Sequence, residues 1–458
     1  MSDEDYDSDD STVFETNVNF DASDTEEEES DTDSTDEDEN FIHTPLRDPT
    51  RYIRLLKVQS AKKGFMPCCT IRHFKKDEAP DYRALSYCWG PEEYWEIEVN
   101  DAPFGVRENL QDVLEHIAEF QYYKKGYNIT RWWWIDALCI MQDKESEAER
   151  LAQLGIMRSI YATAVETIAW LGPGNRSTTR AMKYITQLPL STRKNMSDDT
   201  MTIANDDFCD DIEETFARDP RFAKAIDDIF TREYWERIWI LQELAVSQNT
   251  TLVCGDGWLK WDQLVEFSIN VAIADFSERR LRQARRKVME KQPVWLISKM
   301  YRKSQSSTNG FSLATLIYLS EASKATRSVD YVHALLGMVV RGEGLRMKPS
   351  NTTKYGCETL CEAIRVMLKD MPSSKSWSEA KGSEARRKAK AGHHKPLSKS
   401  SDIRGRRKSC KGISCKTLQI ARKMAAVLYS GSTLYHIGRT EQSMVFYRRS
   451  VERRRPER

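Results

Sequence analysis

Two alternating stretches, "YIRLLKV" from Tyr52 and "CCTIRHF" from Cys68, flank a Lys-Lys-Gly sequence and predict two short strands around a turn. The apolar run "YRALSYCWG" (82–90) ends in Trp-Gly-Pro, which predicts a buried strand running into a tight loop. In "ENLQDVLEHIAEF", Leu110, Val113, Leu114, Ile117 and Ala118 recur at helical spacing. "RWWWIDALCIMQD" is too short and too rich in β-prone residues at its start for a surface helix, and predicts a buried strand ending near Asp136. Side chains alternate along a strand, so Trp132, Trp133 and Trp134 cannot all face inward; at least one covers a helix or a partner surface. From Glu145 to Ala164, Leu151, Leu154, Met157, Ile160, Tyr161 and Ala164 repeat with a period near 3.6, and "ETIAWLGPG" comes next as a strand stopped by Gly-Pro-Gly. Strand and helix therefore alternate from about 82 to 172. That rhythm predicts an α/β fold with a mostly parallel sheet flanked by helices.

Residues 173–220 read as a polar, irregular insertion before a helix that carries Glu243. "TLVCGDGWLKW" predicts one more strand or a hairpin, and 260–370 a mainly helical region. The expected organisation is a disordered acidic segment (1–45), an α/β domain (46–258), a helical region (259–372), a basic low-complexity linker (373–416) and a short helix with an Arg-rich tail (417–458).

Charge sharpens that division. The chain has 69 basic and 70 acidic residues, but about 19 of the acids and no Lys or Arg fall in the first forty positions, leaving the rest about 18 positive. Lys and Arg runs such as "RGRRKSCK" suit phosphate contacts or nuclear import, yet lack the interleaved aromatics of a single-strand binder; a solvated linker is the competing reading. No signal-like start and no eighteen-residue apolar run is present, so the expectation is a cytoplasmic, or nuclear, protein without a membrane span. The ten cysteines do not form paired CxxC clusters, so no metal site is expected and the thiols should be reduced.

"IWILQEL" (238–244) contains the most informative side chain. On a continuous helix the neighbours of Glu243 are Trp239, Ile240, Val246 and Ser247, none of which neutralises it. Glu233, by contrast, has Arg237 four residues on. Glu243 is therefore either solvated, bonded to a cation from elsewhere in the fold, or a partly desolvated carboxylate aimed into an open cavity at the sheet edge.

Four blocks, "YRALSYCWG" (82–90), "WWIDALCIMQD" (133–143), "ERLAQLGIMRSIYATAVETIAWLG" (149–172) and "RIWILQEL" (237–244), resemble in order and spacing the heterokaryon incompatibility (HET) domain of fungal non-self recognition proteins. The resemblance spans roughly 52–257, and "ATRSVDYVHALLGMV" (325–339), with Asp330, looks like the segment that comes after such domains. The family usually has Asn where this chain has Met141. The resemblance implies a TIR-like (flavodoxin-like) fold, and TIR domains that cleave NAD use a glutamate in a Trp-x-x-x-Glu setting, matched here by Trp239 and Glu243. It thus implies an effector of incompatibility cell death, with Glu243 as catalytic residue and NAD as substrate rather than resident cofactor. The alternative is a non-enzymatic module acting by self-association or through other protein partners.

Further residues point to the same pocket. Ser86, Tyr87, Trp89 and Gly90 lie at the expected carboxyl end of the first sheet strand, where open α/β sheets place ligands. Trp89 either stacks on a base or packs as a lid. Asp136 either contacts a ribose or caps the next turn. Gln242 either orients a substrate hydroxyl or points to solvent. Cys139 reads as a buried structural thiol. "LGPGNRST" (171–178) lacks the phosphate-cradling pattern and reads as a strand-ending turn.

Overall fold

The computed structural model describes residues 40–59, 61–123, 132–143, 145–187, 206–274, 276–291, 294, 311–339, 359, 362–364 and 422. The acidic head up to residue 39, the basic linker 373–416 and the tail helix, Arg422 apart, lie outside the described residues.

The first two strands, β1 (Tyr52–Val58) and β2 (Cys68–Lys75), form the expected antiparallel pair, with Leu55 opposite Arg72. Next in the chain are β3 (Tyr82–Tyr87), β4 (Tyr94–Val99), β5 (Ala102–Arg107) and α1 (Glu108–Tyr123). The strand β6 (Trp132–Trp134) leads into the single turn α2 (Asp136–Cys139), then α3 (Glu147–Thr163) and β7 (Glu166–Trp170). Beyond them come α4 (Arg176–Gln187), α5 (Asp206–Arg218), α6 (Arg221–Thr231) and α7 (Ile240–Val246). The hairpin β8 (Thr250–Cys254) and β9 (Gly257–Lys260) precedes α8 (Trp261–Ile273), α9 (Arg279–Glu290), α10 (Leu313–Leu319) and α11 (Asp330–Leu336).

The nine strands among the described residues join one sheet in the order β5-β4-β2-β1-β6-β3-β7-β8-β9. It is mixed, not mostly parallel. The β6-β3-β7-β8 heart is parallel throughout, as the strand–helix rhythm predicts. Pairs β1-β2, β4-β5 and β8-β9 are antiparallel because their connections are too short for a crossover, and β1 also meets β6 antiparallel. The β4-β5 hairpin escaped the sequence reading, which ran from Trp-Gly-Pro directly to the first helix.

Register fixes the two faces of the parallel heart. Ala84 pairs with Trp134, and Ser86 with Ala169, so their side chains share one face; Tyr87 and Trp170, one residue further, share the other. α3 covers the first face, where Tyr161 meets Trp134 edge-on at 5.4 Å between ring centroids and donates its hydroxyl to Leu85 O at 2.8 Å. α1 covers the second, placing His116 against Trp170. Of the tryptophan triplet, Trp133 and Trp134 are buried, whereas half-buried Trp132 is covered by Lys57, 4.4 Å from its ring centroid.

Three further expectations are corrected. The supposedly irregular 173–220 contains α4 and α5; Thr178, Ala181, Met182 and Ile185 form a buried helical stripe hidden in a polar composition. The stretch before Glu243 is not one helix: Glu233–Glu236 is a 3-10 turn, Arg237 is extended, and α7 starts only at Ile240. Residues 40–45, expected within the disordered head, belong to a strap on the domain. Arg54, fully buried, donates to Thr44 O at 2.7 Å and to Glu149 Oε1 at 2.6 Å, while Glu149 Oε2 accepts from Leu46 N at 2.8 Å. The strap thus supplies hydrogen bonds to both members of the buried ion pair, the condition under which such a pair is tolerated.

Candidate functional site

Parallel strands end at a common carboxyl edge, and the site is built from the last residues of those strands and the segments packed over them. Ser86, next to last in β3, points to the α3 face. There its hydroxyl donates to Glu243 Oε2 and shares a 2.8 Å hydrogen bond with Tyr234. Tyr234 comes from the 3-10 turn and Glu243 from α7, so the break at 237–239 brings the two together.

That break also repositions Arg237. Instead of pairing with Glu233 along a helix, its Nη1 stands 3.9 Å from Glu243 Oε2. The expectation of a carboxylate without a counter-ion in an open cavity is therefore corrected: Glu243 is 1% exposed and faces a guanidinium whose side chain is only 18% exposed. The pairing is incomplete, because Glu243 Oε1 and Arg237 Nη1 are both buried without a hydrogen-bond partner. Burial raises the Glu243 carboxyl to about 7; the Arg237 charge and the Ser86 hydrogen bond oppose that rise, and the Asp136 charge adds to it. At Arg237, burial opposes the charged form, but Glu243 and Asp136 together outweigh it and hold the guanidinium protonated.

The other residues expected near the carboxyl edge are arranged around this centre. Trp89 and Asp136 meet across the ends of β3 and β6, with the indole N–H donating to Asp136 Oδ2 at 2.9 Å. Burial raises the half-buried Asp136 carboxyl, against the lowering effects of Arg237 and that hydrogen bond. Asp136 Oδ1 also accepts the Ala137 N–H, in keeping with the turn-capping alternative. Tyr87 is buried on the face opposite Ser86, its phenol pushed well up by burial. Gly90 has φ +74°, and an added Cβ would meet Asn109 Nδ2 at 2.9 Å; its carbonyl accepts from Arg107 at 2.8 Å, and Arg107 sits 5.5 Å from the Trp89 ring centroid.

Trp239 and Gln242 belong elsewhere. The Trp239 indole faces the Asp330 carboxyl and lowers its pKa against the rise caused by burial. Gln242 is buried against Gly337 rather than pointing to solvent. Tyr234, Arg237 and Tyr161 are the side chains near Glu243 that sequence reasoning missed. Two of them share a signal, the run Tyr234-Trp-Glu-Arg237, whose polar ends point inward only once the helix is broken.

A separate cavity of about 210 Å³ opens on the α1 face, lined by Lys63, Glu115, His116, Glu119, Trp170 and Gly174 among others. It contains none of the expected site residues. Among the described residues no cluster of His, Cys, Asp and Glu is arranged to hold a metal. Cys139 is buried, as expected, and accepts the Ile135 N–H at 3.4 Å.

The architecture is an α/β domain with a buried carboxylate, hydroxyl and guanidinium centre beside the carboxyl edge of its parallel strands. Residues 82–243, from the first residue of β3 to Glu243 itself, match the family model described as Heterokaryon incompatibility protein (HET). "Heterokaryon incompatibility protein 6, OR allele" of Neurospora crassa is 28% identical over 240 residues, covering 46% of this chain and 34% of that relative. The match thus spans about a third of the relative's length. No solved structure matches. Residues 82–243, which include strands β3, β6 and β7 of the parallel heart of the sheet, are thus similar to a HET domain.

Proposed function

We propose that this chain acts in fungal heterokaryon incompatibility as a cell-death effector, and that its HET domain hydrolyses NAD at Glu243. The HET match and the incompatibility relative support the biological role. The parallel β6-β3-β7-β8 heart with helices on both faces supports a TIR-like reading of the domain.

One observation carries the chemistry: a buried carboxylate with an unfilled oxygen lies beside a guanidinium with an unfilled nitrogen. A ribose hydroxyl both donates and accepts, so it satisfies Oε1 and Nη1 together. The C1′–N bond to nicotinamide then breaks with its electron pair leaving on the nicotinamide nitrogen. Glu243 stabilises the positive ribosyl centre, as carboxylates do in glycoside hydrolysis. Water adds to C1′, and its proton leaves through the carboxylate, whose pKa of about 7 suits it as a base near neutral pH. The products are ADP-ribose, nicotinamide and a proton.

The test is to incubate concentrated, self-associated protein with NAD and follow nicotinamide. Wild type releases it and Glu243→Gln does not. No release from wild type overturns the enzymatic reading. A second reading, an assembly module without turnover, draws on the 1% exposure of Glu243: a centre closed to solvent also serves as an internal clamp. For localisation, no described helix is long and apolar enough to cross a membrane. The proposed basic-tail contacts with nucleic acid involve residues outside the described ones.

A further inference from the structure

The family match stops at Glu243, yet the segment that aims Arg237 at Glu243 is fastened by residues about eighty to ninety positions later in the sequence. Arg237 forms an isolated parallel bridge with Lys324. Ile238 N donates to Lys324 O at 2.9 Å, Lys324 N donates to Glu236 O, and the Lys324 ammonium pairs with the Glu236 carboxylate. Further along the chain, the Asp330 carboxyl faces the Trp239 indole at the start of α7, and the indole N–H counters the rise that burial gives that carboxyl. Gln242 then seats so closely on Gly337 that a Cβ there would lie 1.9 Å from its Oε1. Each residue from Glu236 to Trp239 is therefore tied to 324–330 by a backbone or side-chain contact, and α7 has one more contact at Gly337.

These ties share one mechanical consequence. The 3-10 turn holds Arg237 through a 3.3 Å bond from its N–H to Tyr234 O, and α7 begins three residues later. Between them, the Lys324 strand contact and the Asp330–Trp239 contact hold the extended backbone that carries Arg237 over the carboxylate. We propose that residues 324–337 are a latch for the Glu243 centre: Lys324 and Asp330 are positioning residues that keep Arg237 seated on Glu243 and restrict, without abolishing, the access of solvent and substrate to the carboxylate. Release of this segment opens the centre without unfolding the sheet. The proposal of a latch draws on these contacts; its consequence for turnover rests on the NAD reading proposed above.

The experiment labels accessible carboxyls with a water-soluble carbodiimide and glycine ethyl ester in the full chain, and reads Glu243 by mass spectrometry. Glu149, in the first turn of α3 and buried against Arg54, serves as reference. Asp330→Leu keeps the bulk but removes the carboxyl that faces the Trp239 indole, and should raise Glu243 labelling roughly fivefold or more with Glu149 unchanged. Asp330→Asn keeps a carbonyl acceptor and should label as wild type does. Unchanged Glu243 labelling in Asp330→Leu overturns the latch. So does a parallel rise at Glu149, which would make Asp330 a support of the whole fold. The two proposals separate cleanly: increased labelling without nicotinamide release keeps the latch and rejects the NAD reading, whereas release without a labelling change does the reverse.

Discussion

Arg237 Nη1 lies 3.9 Å from Glu243 Oε2, inside the sheet-facing layer, and neither it nor Glu243 Oε1 has a hydrogen-bond partner. A guanidinium and carboxylate free to optimise their contact close to bidentate geometry at about 2.8 Å. Here Ser86 holds one side of the carboxylate, itself bonded to Tyr234, and the Lys324 bridge holds the arginine backbone, so the pair is kept near but apart.

Replacing Arg237 by Met tests that balance. It leaves a buried carboxylate without its counter-charge, which should cost ~3–5 kcal/mol at pH 8. At pH 5 the carboxyl is protonated and the loss should shrink to the few tenths to ~1 kcal/mol expected of a near-isosteric buried change. Denaturant titrations at the two pH values check this, and equal losses would contradict it.

Stability itself should carry the signature of Glu243. Its folded-state value of about 7 lies above the ordinary 4.5, so the native state binds the extra proton between those values. The contribution of this group is therefore greatest below pH 4.5, declines as pH rises towards 7, and levels off above. The total is ~3 kcal/mol. Chemical denaturation of wild type and Glu243→Gln across that range should show the decline in the first and its loss in the second.

Ser86→Ala removes a donor to Glu243 and the partner of the buried Tyr234 hydroxyl together. An unsatisfied buried phenol and a weakened carboxylate environment should cost ~1–3 kcal/mol. The Glu243 carboxyl should move further up, because that hydrogen bond holds it down. Thermal unfolding and the pH dependence of stability report the two effects separately.

Much of this fold was legible because the buried faces repeat at simple periods. The β1-β2 pair, the β3 run, the α1 and α3 stripes and β7 each announce themselves by apolar spacing within a dozen residues. The β4-β5 hairpin carried a signal too: Asn100 and Asp101, both at positive φ, form the short turn that such residues favour. Strand order is another matter. That β6 sits between β1 and β3, or that β1 runs against it, depends on long-range packing no local pattern encodes. The same limit governs the site. Glu243 stood out by the company it keeps along the helix, but its partner could not be read by counting three and four residues, because Arg237 lies beyond a break imposed by a strand contact to Lys324. Trp239 and Gln242 fell on the wrong side for the same reason: a short helix docked against 330–337 has two buried faces, and sequence spacing does not say which one meets the carboxyl edge.

Gly90→Ala should destabilise by ~1–2 kcal/mol, since φ +74° disfavours any side chain and the new Cβ meets Asn109 Nδ2 at 2.9 Å. Asn109 would then lose its 3.0 Å bond to Cys88 O beside Trp89. A lowered thermal midpoint together with increased Trp89 fluorescence quenching, best read in a variant with few other exposed tryptophans, checks the local origin of the loss.

The account stands on Glu243 being a buried carboxyl only partly neutralised by Arg237, and its titration measures that directly. Carboxyl-carbon NMR of protein labelled in the glutamate side chain, taken as the difference between wild type and Glu243→Gln, isolates this one group. A midpoint near 7 is the predicted result. A midpoint at or below about 4, the value of a solvated or fully paired glutamate, would contradict it.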